Sequence, residues 1–76
     1  MKVQWWPSAT LALLGMPRAD AEAIDRAVER WAASGEGIVV ASDGGVFLLF
    51  VGGHVVEFVV TDTAADTMHV ERVRRA

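Results

Sequence analysis

The residues best suited to chemistry are two histidines, His54 and His69, and a short cationic run, Arg72-Val73-Arg74-Arg75. A histidine titrates near neutral pH and can serve as a general base. An arginine presents a planar fork to phosphate or carboxylate. His54 and His69 as general bases, and Arg72 and Arg75 as cations able to contact phosphate or an acidic segment, are the candidate catalytic residues, with Lys2 as a further cation. Plainer readings compete at each position. His54 beside a turn suits a partly buried aromatic substitute, and His69 suits a strand surface. A basic run at a strand end commonly shields that edge from other chains. Two histidines without cysteine and without ligand spacing do not make a metal site, and no metal or cofactor is expected. Asp43-Gly44-Gly45 and Gly52-Gly53 lack the spacing of a phosphate loop and the strand–helix setting that such a loop needs. Asp62 and Asp66 read as ordinary loop acids. Ser8, Ser34 and Ser42 have no triad context, and capping or turn roles suffice for them.

The elements that must hold these residues are apolar to an unusual degree. The chain of 76 residues is 53% hydrophobic and 22% charged, with net charge −3 and no cysteine. That length makes one domain, 1–76, with a small core. Excess apolar content in so short a chain points to association. The acidic balance argues against nucleic acid as the main partner, because phosphate binding needs a basic surface. The absence of cysteine leaves the redox compartment open. Lys2 is followed by Trp5-Trp6-Pro7 and not by a long apolar stretch, which is unlike a signal peptide. The longest apolar run is broken at Gly52, Gly53 and His54 and reads as strand, so no membrane helix is expected and the cytoplasm is the default location.

That broken run is the most informative segment. Phe47-Leu48-Leu49-Phe50-Val51 and His54-Val55-Val56-Glu57-Phe58-Val59-Val60 flank Gly52-Gly53, the residues of a two-residue primed turn. With that turn, Val51 pairs with His54, Phe50 with Val55, Leu49 with Val56, Leu48 with Glu57 and Phe47 with Phe58. Alternation then places Phe47, Leu49, Val51, His54, Val56, Phe58 and Val60 on one face. Val46, Leu48, Phe50, Val55, Glu57 and Val59 share the other. Both faces are apolar, and one helical layer can cover only one of them. The second face is expected to meet a protein partner or another copy of the chain.

Elsewhere the pattern reads as a strand over Lys2 to Trp6, with Val3 and Trp5 on one side. A short helix follows, opened by Pro7 and capped by Ser8, and Gly15 ends it. A long helix runs from Arg18 to Ser34, with Ile24, Val28, Trp31 and Ala32 at helical spacing and Gly35 just beyond its end. Glu22 and Arg26 are an i,i+4 pair. Ile38-Val39-Val40 is a short strand, and Ser42 to Gly45 is a turn. Thr61 to Asp66 is a polar loop. In the last strand Met68, Val70 and Arg72 alternate with His69, Glu71 and Val73. The order β-α-α-β-β-β-β gives an α+β two-layer fold, a helical hairpin packed on a mainly antiparallel sheet. Trp5 and Trp31 are assigned to the core. Trp6 is assigned to an exposed interface position, and Arg74 to contact with an acidic partner segment.

Val3-Gln4-Trp5-Trp6-Pro7-Ser8-Ala9, Leu11, Leu14, Pro17, Gly45-Val46-Phe47, Val51-Gly52-Gly53-His54, Phe58, Val70 and Val73 occur in an order that resembles the RelE/ParE superfamily of type II toxin–antitoxin toxins, over nearly the whole chain. The resemblance implies the same β-α-α-β-β-β-β fold and a partner antitoxin whose extended segment wraps the toxin. It also exposes a departure. Where the family typically places cations that grip mRNA, this chain has Leu48, Phe50 and Val55, with Glu57 among them. The usual basic and aromatic tail is mostly missing. The expectation is a toxin-like component of a toxin–antitoxin module that binds an antitoxin through Val46, Leu48, Phe50, Val55, Glu57, Val59, Trp6 and Arg74, without the usual ribonuclease site. The alternatives are a ribonuclease toxin with an atypical site and a non-toxic dimeric α+β interaction domain.

Overall fold

A computed structural model describes residues 1–61 and 66–76; the polar loop expected over Thr61 to Asp66, with Asp62, therefore lies largely outside the described residues. Five strands form one sheet. They are β1 (Lys2–Trp5), β2 (Ile38–Ala41), β3 (Phe47–Val51), β4 (His54–Thr61) and β5 (Thr67–Arg75). Two helices, α1 (Pro7–Leu14) and α2 (Arg18–Ser34), follow β1. The spatial order is β1-β5-β4-β3-β2, with β1 parallel to β5 and the remaining pairs antiparallel. The expected order of elements and the two-layer α+β architecture are those of the molecule.

The β3–β4 register is the one that the glycine pair predicts, from Val51 opposite His54 to Phe47 opposite Phe58. Gly52 has φ of 58° and Gly53 is not left-handed, the pattern of a turn whose first central residue alone needs positive φ. Leu49, Val56 and Phe58 from this hairpin meet Met68, Val70 and Val73 of β5 and Ile24, Val28 and Ala32 of α2 in one core. Phe58 is central to it. Its ring lies 4.6 Å from that of Trp31 and 5.6 Å from that of Phe47. Trp5 and Trp31 pack against this core while remaining half-exposed, so both are its margin and not its centre.

The α2 helix has the predicted bounds, and Gly35 adopts the left-handed conformation (φ 76°) that closes such an end. Glu22 lies 3.9 Å from Arg26, but its closer partner is Arg18 at 2.9 Å.

Three local expectations are corrected. Ser8 does not cap α1. Trp6 holds the cap position without a side-chain bond, Pro7 takes the first turn, and the Ser8 hydroxyl donates to the Glu71 carbonyl at 2.8 Å. Val46 precedes β3 and does not belong to it; its amide closes the Asp43–Gly45 turn by donating to the Asp43 carbonyl. The third correction concerns β5. Glu57 pairs with Arg72, but Phe58 pairs with Val70, so Glu71 is an extra residue, a β-bulge. Beyond the bulge the alternation is displaced by one. Val73 joins Val70 and Met68 on the core side, while Arg72 and Arg74 lie on the opposite side with Glu57 and Val55.

Candidate functional site

Both helices pack on the same side of the sheet, leaving the other side open. The register identifies what stands there: Ile38 and Val40 from β2, Leu48 and Phe50 from β3, Val55, Glu57 and Val59 from β4, His69, Arg72 and Arg74 from β5, and Lys2 and Gln4 from β1. Ile38 is 69% exposed, Val40 50% and Phe50 38%, and Leu48 and Val59 are half-buried. Their exposure follows from topology: β-branched and aromatic residues favour strands whichever face they occupy, and among the described residues no helix lies over this one.

The face has two zones. Over β2 and β3 it is hydrocarbon. Toward β5 and β1 it is polar, and there Arg74 Nε donates to Glu57 Oε2 at 2.7 Å. This pair is diagonal across the strands, because Glu57 stands directly opposite Arg72 while Arg74 stands opposite Val55. Glu57 retains 22% and Arg74 39% of their side-chain exposure, so the pair is partly shielded from water. Farther along, Thr61 Oγ1 and His69 Nε2 are 3.4 Å apart. Arg72 is exposed and pairs with no carboxylate among the described residues.

Of the residues assigned to partner contact, Leu48, Phe50, Val55, Glu57, Val59 and Arg74 share this face. Val55 is 2% exposed and lies outside the helix-covered core, so its surface neighbours close over it. Trp6 stands apart, 46% exposed at the β1–α1 junction. Two residues that no motif singled out, Ile38 and Val40, are the most exposed apolar side chains of the face. The alternation of Ile38-Val39-Val40 carried that signal, but only the β2–β3 pairing says which side is open.

The four candidate catalytic residues separate. His69 and Arg72 lie on the open face. His54 and Arg75 are paired across β4 and β5 on the helix side. There they line a cleft of about 310 Å³ with Asp20, Ala23, Ile24 and Val51. The sheet stands between the two sets. Among the described residues no group of three or more His, Asp or Glu side chains is arranged to hold a metal ion. None of the described helices is long and apolar enough to cross a membrane.

No protein-family model matches this sequence, and no curated protein matches it. In three dimensions the chain is similar to a chain of the toxin–antitoxin complex RelBE2 from Mycobacterium tuberculosis, with TM-score 0.76 and 18% sequence identity. The alignment covers 99% of this chain and 96% of the other. The fold implied by the RelE/ParE resemblance is thus the fold of this chain.

Proposed function

We propose that this protein is the toxin-like component of a toxin–antitoxin module and that its open sheet face binds the antitoxin. The observation that carries this reading is an apolar face, Ile38, Val40, Leu48 and Phe50, left uncovered in a fold shared with a chain of a toxin–antitoxin complex. Exposed contiguous hydrocarbon on a small domain favours burial by a partner. Protein binding, not nucleic-acid binding or catalysis, is the main act. Hydrocarbon stands where a ribonuclease of this superfamily would need cations, and His54 with Arg75 is screened by the sheet from His69 with Arg72. A ribonuclease with an atypical site would have to work with one of these pairs alone. The proposed location is the cytoplasm.

Inducible expression in a bacterial host, with and without the product of the adjacent gene, tests the proposal. The expected result is co-purification of the two proteins and relief by the neighbour of any growth arrest. A monomer that stays soluble at high concentration and binds no neighbouring product would overturn it. Arg75→Ala and Arg72→Ala assayed for RNA cleavage with ribosomes present decide the ribonuclease alternative, which ends if the wild-type protein does not cleave.

A further inference from the structure

The open face differs in charge from the rest of the molecule. Lys2, Arg72 and Arg74 stand on it against Glu57 and, at the bulge, Glu71, a formal +1 on a chain of net −3, which leaves −4 for the remaining residues. The cations are confined to the β5–β1 half, and the β2–β3 half carries no charge. Glu57 is already engaged by Arg74 at 2.7 Å, while Arg72, directly opposite Glu57, is exposed and has no carboxylate partner among the described residues. A ligand covering the whole face would strip water from Arg72, which is unfavourable unless the ligand supplies a carboxylate.

We infer that the occupant of this face is an amphipathic segment of a partner polypeptide, laid with apolar side chains over Ile38, Val40, Leu48 and Phe50 and with carboxylates over Arg72 and Lys2. The inference rests on the proposed binding role of the face and adds the chemistry and orientation of what binds. The one-sided placement of charge fixes which flank of the segment lies over which strands, because the opposite placement would put hydrocarbon on Arg72 and acids on Ile38. Glu57 is neutralised by Arg74, so among the described residues the unpaired cations left on this face for a partner's acids are Arg72 and, at the β1 margin, Lys2.

Two synthetic peptides provide the test, one with leucines along one side and glutamates along the other, and its analogue with lysine for every glutamate. Each is titrated into the ¹⁵N-labelled full chain at low salt while the backbone amides are followed. The acidic peptide should shift amides of β2 to β5 and bind more tightly than the lysine peptide, by about 1.5-fold to fivefold for each ion pair gained. Arg72→Glu, which sets a second carboxylate opposite Glu57, should shrink or reverse that preference while the free protein keeps a dispersed, folded spectrum changed only around β4 and β5. Equal binding of the two peptides, shifts confined to the helices, or a preference unchanged in Arg72→Glu would each overturn the inference. So would concentration-dependent self-association that Arg72→Glu abolishes, since a second copy would then be the occupant. The peptides are independent of the adjacent gene, so a neighbour that fails to bind defeats the proposed function without deciding this result, and the converse also holds.

Discussion

At the scale of single residues, the same chemical type has opposite consequences according to the layer it faces. Phe58 is fully buried between Trp31 and Phe47, and Phe50, three positions before the turn end of the hairpin, is 38% exposed. Phe58→Ala should cost about 3–5 kcal/mol by the loss of buried area and the cavity left behind, enough to unfold much of a domain this small. Phe50→Lys, which gives up only partial burial, should lower the unfolding free energy by about 1 kcal/mol and increase solubility. Val55 tests the limit of this rule. It shares the open face with Phe50 but is 2% exposed, so Val55→Lys should destabilise more than Phe50→Lys does. Gly37 offers another contrast. At φ 145° an added Cβ would lie 2.9 Å from Leu49 Cδ1, and Leu49 is held in the core. Gly37→Ala should therefore cost about 1–3 kcal/mol, while Gly44→Ala, with positive φ but open space around it, should cost about 1 kcal/mol. Chemical denaturation of the two variants measures both.

At the scale of elements, the hairpin and α2 were legible because each carries redundant signals. A Gly-Gly pair between two β-rich runs sets the register of β3 on β4 without help from the rest of the fold, and Ile24, Val28 and Ala32 with Gly35 define the stripe and end of α2. The face of β5 beyond Glu71 was not legible. A bulge is set by the partner strand and by local contacts such as the Ser8 hydroxyl on the Glu71 carbonyl, and Thr67 to Arg75 contains no glycine or proline to announce it. The candidate catalytic residues failed to converge for a related reason: adjacency in the chain does not say which side of a sheet a residue serves. The α1 helix, Pro7–Leu14, carries no polar stripe that would tell its two faces apart. In the fold Ala9 is buried, but Leu14 is 77% exposed. Leu11→Gln with Leu14→Gln should change stability by less than about 0.5 kcal/mol in a thermal melt, since neither side chain has much buried area to lose.

At the scale of the whole molecule, the sheet has two free edges that are defended unequally. The β1 edge carries Lys2 and is followed by Pro7, both of which discourage another strand from pairing there. The β2 edge, Ile-Val-Val-Ala, has no charge, proline or bulge, and two of its side chains belong to the apolar open face. Without a partner the protein should self-associate through this corner. Val40→Lys places a charge on both the edge and the face and should lower light scattering at high concentration without loss of secondary structure by circular dichroism. Unchanged scattering would move the association elsewhere, with the exposed side of α1 the next surface to examine.

The parallel pairing of β1 with β5 has a consequence for the order in which the structure can form. Lys2 pairs with Thr67 and Trp5 with Val70, so the strand made first is completed only by the strand made last. During synthesis the helical hairpin and the β3–β4 hairpin can form locally, but Val3 and Trp5 have no sheet to join until β5 has emerged. Closure across so long a loop is slow compared with local helix formation. A growing chain therefore presents its tryptophan-bearing strand and its undefended β2 edge together until β5 closes the fold.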